Sequence, residues 1–452
     1  MSETSRPRVL VVGDHPSLHR GFATIVRAVT AHLHARGWPV EVLGYYPPDP
    51  AWRSPGYAVT DLDPDDVPRS QRVPRLVGAL GAMLRGSGRV PPTLLCIGTD
   101  FDLGAVVEAL RALGLREKVT LVGYTPIDYA PLPVAAMEVL GAFDRLVPYT
   151  QLAHEALVDC ARRAGIEPSF LTTPIPHGVD TACFRPLPPA ERAAARRTLL
   201  DIDDDTFLVG YFGRNSRNKR IDIVLRLFAL AASGNYARCA RCGSTSACAL
   251  DRDGRPLAPP PRCNACGGAD LSPGRARDDL VLYVHADLDA HRAPQASGGR
   301  NLLAIADALG VRDRVRFRDD LRIGRGDDVA TLAARMAACD LHVLPFHCAG
   351  WELTVLETGA CGVANIITEA FSPAQYAAPF SRLVPVGSYV LERDVRALMD
   401  TDLGLAALLD LIDDPASRAH LARCGPTVAS ALDWHRVGEM WEACLRASVG
   451  EA

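Results

Sequence analysis

Arg8–Gly13 (RVLVVG) and Thr206–Gly213 (TFLVGYFG) are short, uniformly apolar runs closed by glycine. A strand without polar alternation buries both faces, which requires a parallel sheet covered by helices on each side. Each run opens a series in which such strands alternate with amphipathic helical segments. The first series runs through a loop, DHPSLHRGF, a helical pattern at Ala23–Arg36 and a strand at Val40–Leu43. Apolar runs at Thr93–Ile97, Val119–Tyr124 and Arg145–Val147 follow, with a helix at Leu103–Leu113 among them. The second continues through a helix at Ile221–Ala232, Leu280–Val284, a helix around Leu302–Leu309, Val315–Phe317, a helix at Val329–Ala338 and Leu341–Leu344. Val363–Ile367 reads as its last clear strand.

Strand, helix, strand with short connections specifies a parallel α/β sheet, and its occurrence twice predicts two Rossmann-like domains in tandem. The length, 452 residues, accommodates them. The expected boundaries are 1–186 and 187–432, joined at Ile175–Pro186 (IPHGVDTACFRP), where glycine and flanking prolines make a stiff hinge. A final helical pattern at Trp434–Val449 puts Val437, Met440, Trp441 and Leu445 on one side. Val67–Pro91 carries five arginines (Arg69, Arg72, Arg75, Arg85, Arg89) around Leu76, Leu80 and Leu84, the pattern of a solvated helical face, with a surface for an anionic acceptor or membrane as the alternative.

Composition narrows the function classes. Lys plus Arg total 49 against 53 Asp plus Glu, a net charge of −4, so no global basic field exists to hold nucleic acid. A modest cluster (Arg238, Arg241, Arg252, Arg255, Arg262) does not change that expectation. No apolar run reaches the roughly 18 residues of a membrane span, and the start lacks a secretory pattern. Thirteen cysteines, eight of them scattered through mostly apolar surroundings, suit reduced thiols and a cytoplasmic protein.

The other five cysteines crowd together. Cys239-Ala-Arg-Cys242-Gly is followed after twenty residues by Cys263-Asn-Ala-Cys266-Gly-Gly, the spacing of a four-cysteine zinc ribbon, with Cys248 as a spare. Four thiolates close a tetrahedral site, so the metal is structural and the insertion, 235–276, can stand with almost no apolar core. It follows a helix and precedes a strand, whereas ligands in such sheets sit at the carboxyl ends of strands. The module is therefore expected away from the reaction centre, as a structural element or a docking site for a protein partner. No catalytic metal is expected: Asp61/Asp63, Asp201/Asp203 and Asp287/Asp289 are short-spaced aspartates in an Asp-rich chain.

Two segments of the second domain carry anion-binding chemistry. Gly213-Arg214-Asn-Ser-Arg-Asn-Lys219-Arg220 leads from a strand into a helix N-terminus, where free amides and the helix dipole favour anions. Arg214 and Lys219 add cations, and Lys219 is one of only two lysines, the other being Lys118. His347–Gly362 (HCAGWELTVLETGACG) turns at Gly350 into a second helix, with Glu357 about one turn inside it. In the first domain, Asp128 follows a buried strand (YTPID), and His15 and His19 lie in the first loop.

Together, IPHGVD, GYFGRN with Lys219, and VLPF followed by GWELTVLETGACGV resemble the retaining GT-B glycosyltransferases that use nucleotide sugars. The similarity spans nearly the whole chain outside the cysteine-rich insertion. It implies an acceptor-binding first domain, a donor-binding second domain across a cleft, a final helix, 433–450, that crosses back to the first domain, and transfer of a sugar with retention of anomeric configuration to a small-molecule or glycan hydroxyl. Arg214 and Lys219 would clamp the diphosphate, and amides near Gly350, Trp351 and Thr354 would cradle phosphate and sugar. Glu357 would meet the nucleoside ribose as the second glutamate of an E-x7-E motif. Gly21 matches a glycine that lets backbone approach the donor, and Asp128 stands where many members place a sugar-contacting histidine. The first glutamate of the motif falls on Ala349, which motivates an alternative: a non-catalytic protein that binds a nucleotide sugar or a partner, with the ribbon as its docking module.

Overall fold

The computed structural model describes residues 6–63, 71–85, 91–251, 253–292, 298–318, 326–391 and 395–448. The chain divides into two compact units, Met1–Gly178 with Leu432–Ala452, and Val179–Ala431.

The first unit contains β1 (Val9–Asp14), α1 (Gly21–Ala35), β2 (Val40–Tyr45), β3 (Ala58–Asp61), α2 (Arg72–Met83), β4 (Thr93–Ile97), α3 (Asp100–Ala112), β5 (Thr120–Tyr124), α4 (Met137–Leu140), β6 (Arg145–Val147) and α5 (Gln151–Arg163). Its strands form one parallel sheet in the order β3-β2-β1-β4-β5-β6. Every residue of β1 and β4 is buried, as their unbroken apolar composition requires. Helix α3 starts at Thr99, whose side chain accepts from the Asp102 amide while Asp102 caps the Thr99 amide.

Asp102 also receives Arg72, which takes that one arginine out of the solvated face expected of the stretch, while Arg85 is exposed. Arg72 is 3% exposed, ion-paired with Asp102 and stacked 4.3 Å from the Tyr45 ring centroid. Burying a guanidinium is tolerable because a carboxylate and a ring face replace its water. Arg75 donates to the Leu62 carbonyl at 3.0 Å; Arg69 and Arg89 lie outside the described residues.

The last described helix, Trp434–Ser448, belongs to this first unit. Val437, Trp441 and Leu445 are buried, and Trp441 meets the Tyr124 ring edge-on at 4.8 Å. Met440 departs from expectation, being 40% exposed, since the core stripe runs i, i+4 and Met440 lies beside it. Gly178 is obligatory where this helix begins. A Cβ there would lie 2.6 Å from Cδ2 of the Trp434 indole, which explains the glycine of IPHGVD.

Glu442 fastens the helix. Its carboxylate accepts from Arg36 Nε at 3.0 Å, Arg446 Nη2 at 2.8 Å and Trp38 Nε1 at 3.5 Å. Burial alone would raise its pKa, but the hydrogen bonds from Arg446, Arg36 and Trp38 outweigh that and hold it at about 2. A carboxyl depressed in the folded state stabilises above its ordinary range, and that contribution fades as pH falls from about 4.5 toward 2. Glu442→Gln should therefore cost about 2–3 kcal/mol at pH 7 and progressively less at acid pH. Melting temperatures of both forms between pH 7 and 3 provide the test; parallel curves would contradict it.

The second unit contains α6 (Pro189–Ala195), β7 (Phe207–Phe212), α7 (Ile221–Ser233), β8 (Tyr236–Cys239), β9 (Thr245–Ala247), β10 (Leu271–Pro273), β11 (Leu280–His285), α8 (Leu302–Ala308), β12 (Val315–Phe317), α9 (Val329–Ala337), β13 (Leu341–Leu344), α10 (Leu353–Ala360), β14 (Ala364–Thr368), α11 (Pro373–Tyr376), β15 (Ser381–Val384), β16 (Val386–Leu391), β17 (Val395–Met399), α12 (Thr401–Asp413) and α13 (Pro415–Ala431). Its parallel sheet runs β12-β11-β7-β13-β14-β15. The first strand lies beside the fourth, as in the first unit.

Val363–Ile367 is thus not the end of the sheet. The Ser381–Val384 strand pairs with β14 at the edge, and β16 and β17 form a separate antiparallel hairpin. The cysteine-rich insertion forms its own three-stranded sheet, order β10-β8-β9.

Candidate functional site

When the first and fourth strands of a doubly wound sheet are neighbours, the loops leaving their carboxyl ends diverge to opposite faces and open a crevice. In the second unit these loops are Gly213–Arg220 after β7 and Pro345–Glu352 after β13. They are the two segments singled out from sequence.

The first loop is held from within and from its neighbour. The Tyr211 hydroxyl donates to the Arg214 carbonyl at 3.1 Å. Asn215, buried, donates through Nδ2 to the carbonyls of Asp287 (3.1 Å) and Arg300 (2.8 Å), and its Oδ1 accepts from the Arg300 amide at 2.9 Å. A short turn at Arg217–Lys219 leads to Arg220, whose φ of 47° is left-handed, and α7 begins immediately after. The Arg214 side chain is exposed and Lys219 is half-buried.

The second loop is bonded to the first. The His347 amide donates to the Asn218 carbonyl at 2.8 Å, and Lys219 Nζ donates to the carboxylate of Glu352. Arg220 grips Asp222 through Nε (3.0 Å) and Nη2 (2.9 Å) and donates through Nη1 to His347 Nε2. Arginine can only donate, so His347 Nε2 accepts and a neutral imidazole carries its hydrogen on Nδ1. Burial, with Arg220 adding to it, lowers the His347 pKa to about 4, so the ring is neutral at pH 7. The hairpin closes the set: Ala397 donates its amide to the His347 carbonyl at 2.9 Å, and Arg396 reaches Asn218 Oδ1 at 3.3 Å and the Cys348 sulfur.

Helix α10 starts at Leu353, and its first-turn amides have no acceptor inside the helix. Gly350 is buried just before it. Trp351 stacks on Tyr376, ring centroids 4.1 Å apart and planes 13° off parallel. Thr354 Oγ1 is buried without a hydrogen-bond partner among the described residues. Glu357 lies half-buried in the second turn, and Ala349 is buried.

The structure thus brings Arg214, Lys219, Gly350, Trp351, Thr354 and Glu357 onto the two loops of one switch point and the helix that follows. Sequence reasoning missed Arg220, Asp222, Arg300, Tyr376, Arg396 and the pairing of Glu352. Adjacency to Lys219 was a usable signal for Arg220. Arg396 had none, because only the hairpin's fold brings it back to this loop.

Gly21 and Asp128 belong to the first unit. Gly21 is the exposed first residue of α1, and Asp128 is half-buried in the loop after β5. His15 is neither exposed nor free to meet a ligand: it is 2% exposed, with Nε2 3.2 Å from Asp61 and Nδ1 2.7 Å from Ser17 Oγ. The Ser17 amide donates to the same Nδ1 at 3.1 Å, so the ring hydrogen is on Nε2, toward Asp61. This relay also ties the first loop to the Asp49 amide, which donates to Ser17 Oγ at 2.9 Å. His19 is exposed.

The sulfurs of Cys239, Cys242, Cys263 and Cys266 all lie within 4.8 Å of one another. The pairs Cys239/Cys266 and Cys242/Cys263 are both 3.6 Å apart, against about 3.8 Å between thiolates around a tetrahedral zinc with 2.3 Å bonds. Each knuckle turns the same way: Gly243 and Gly267, with φ of 72° and 70°, donate their amides to the Cys239 and Cys263 carbonyls at 2.9 Å. These four residues can hold a metal ion. Cys248 is buried outside the cluster.

The module is seated on its own unit. Asp402, at the start of α12, accepts from the Ala247 amide (2.8 Å) and Asn264 Nδ2 (2.7 Å). One of its loops is less remote than the connection alone suggests. Leu250 and Gly254 line a groove of about 1060 Å³ with Arg220, Asp222 and Arg300, at the end of the Gly213–Arg220 loop.

No family model matches the chain, and no curated protein matches its sequence. Solved structures do. Sucrose-phosphate synthase from Thermosynechococcus elongatus is 17% identical over 99% of this chain and 100% of its own, with a TM-score of 0.70. HepE from Anabaena, in complex with UDP and glucose, is 14% identical over 98% and 100%, TM-score 0.65. WaaG, a glycosyltransferase involved in lipopolysaccharide biosynthesis, is 13% identical over 97% and 99%, TM-score 0.63. The chain therefore has the fold of the GT-B glycosyltransferases, with two parallel-sheet α/β units.

Proposed function

We propose that this protein is a retaining glycosyltransferase, moving a sugar from a nucleoside diphosphate sugar to an acceptor hydroxyl. The observation that carries the reading is the meeting of the Lys219 loop with the start of α10 at a switch point. Arg214, Lys219 and the first-turn amides then bind the diphosphate and stabilise the charge that develops on it as it leaves. Glu357 is assigned to the ribose. In the first unit, Asp128 and Gly21 are assigned to acceptor and sugar at the carboxyl edge of that sheet. Solved structures of the same fold support the ligand class: HepE was crystallised with UDP-glucose, and a trehalose-6-phosphate protein from E. coli is bound with UDP-2-fluoro glucose.

In this reading the bond between the anomeric carbon and the diphosphate oxygen breaks, and the acceptor oxygen takes its place on the same face. The acceptor proton passes to the departing diphosphate, so no separate base is needed. No metal takes part; zinc in the four-cysteine cluster is assigned a structural role, and the ribbon a protein-docking one. We place the reaction in the cytoplasm.

A thermal-shift panel of UDP-, GDP-, ADP- and dTDP-sugars tests the donor assignment. A ligand at 100 times its Kd should stabilise by about 2.7 kcal/mol, a shift of roughly 2–4 °C. No shift with any member, and no transfer or donor hydrolysis, would refute it. Binding without turnover would favour the non-catalytic alternative that Ala349 motivates.

A further inference from the structure

The transfer reading gives Lys219 to the ligand, yet in the structure its ammonium is already bonded to Glu352. Glu352 is 4% exposed and immediately precedes α10, where the first-turn amides would receive an anionic ligand. It is the first carboxylate after β13, the intervening loop being Pro-Phe-His-Cys-Ala-Gly-Trp. Its backbone is pinned: the Tyr376 hydroxyl donates to the Glu352 carbonyl at 2.9 Å and accepts from the Glu352 amide at 3.1 Å, while Trp351 stacks on the same ring. The Tyr211 and Tyr376 phenols stay protonated, since burial first and the Glu352 charge second push both pKa values up. Glu352 thus stands as a protein carboxylate in the place of a ligand anion, on a fixed backbone, with the site's lysine as its partner.

We infer that Glu352 is the resident counter-ion of the anion site. Resting on the transfer reading, the inference adds that an arriving diphosphate displaces the Glu352 carboxylate from Lys219. Two consequences follow from charge alone. The site discriminates by charge, because only a ligand with more than one negative charge offers Lys219 more than Glu352 does. Product release is also assisted, because Glu352 recaptures the ammonium as the diphosphate leaves. A residue that merely positions Lys219 has the opposite signature, since its loss weakens anion binding.

The experiment is calorimetric titration of inorganic pyrophosphate into wild type, Glu352→Gln and Lys219→Met. Removing one like charge within reach of the ligand should tighten pyrophosphate binding about 10–100-fold in Glu352→Gln, while Lys219→Met weakens it. Unchanged or weaker binding by a folded Glu352→Gln, with wild type binding normally, overturns this inference and leaves the transfer reading standing. Failure of all three proteins to bind removes the anion site itself, and both readings fall. If Glu352→Gln melts early, Glu352→Asp serves: its shorter arm lengthens the bond to Lys219, so binding should tighten several-fold. Equal or weaker binding there overturns the inference.

Discussion

Lys219→Ala is expected to lower kcat/KM for transfer by about 10²–10³-fold, the equivalent of about 3–4 kcal/mol. Two effects add. In the proposed reaction the substitution removes a cation that stabilises the departing diphosphate, worth about 4 kcal/mol for unit charges 4 Å apart in an effective dielectric near 20. It also leaves the buried carboxylate of Glu352 without its ammonium, facing the ligand with its negative charge. The second effect separates this site from a simple phosphate clamp. In the Lys219→Ala, Glu352→Gln double variant the repulsion is gone, and part of the lost activity should return. Glu357→Ala should lower transfer about 10–100-fold, chiefly through KM, as expected for a residue that binds the nucleoside and not the reacting bond. Steady-state kinetics with the donor found in the thermal-shift panel decides both; normal turnover in Lys219→Ala and Glu357→Ala would remove the site.

Removing the metal from the cysteine cluster should cost more stability than any single substitution considered above. Apparent zinc affinities of about 10–16 kcal/mol in zinc-finger peptides set the scale, because such a module has little apolar core of its own. Elemental analysis should find one zinc per chain in the native protein and none in Cys263→Ser. Chelation should lower the melting temperature by roughly 10 °C or more and unfold β8–β10 first. The effect should extend beyond the module, since Asp402 on α12 and Arg226 on α7 both bond to it; Arg226 Nη2 donates to the Cys248 carbonyl at 3.3 Å. A chain purified without metal, with an unchanged melting curve after chelation, would leave the four thiols with no structural task.

The strands most plainly legible in the sequence are the central ones, whose burial is symmetric. Strands β1, β4, β7 and β13 are enclosed by helices, so each reads as an unbroken apolar run ending where a loop begins. Strands β3 and β15 are edges whose sequences (AVTD, SRLV) carry no apolar run, so they escaped notice, whereas the edge strands β6 and β12 were found from the strand–helix alternation. The β16–β17 hairpin is hidden for the same reason, with Tyr389 and Leu391 64% and 82% exposed. The cysteine cluster was legible because paired knuckles, each turning at a glycine, write the approach of four thiols into their spacing. The motif residues Arg214, Lys219, Gly350 and Glu357 were legible through resemblance, as positions.

What the sequence determined by itself is therefore the alternation that fixes two parallel sheets, the four-thiol cluster, and the two loops that the fold brings together at the switch point. Partnership among side chains was decided only by the tertiary structure. Arg72 looks like a surface cation until Asp102 and Tyr45 enclose it, His15 looks like a loop histidine until Asp61 and Ser17 take both its nitrogens, and Glu352 looks like one helical glutamate among many until Lys219 arrives from 133 residues away. The physical reason is range. Hydrophobic periodicity and knuckle spacing act over a few residues and leave a local trace, whereas an ion pair is set by distance in space, which chain order does not record.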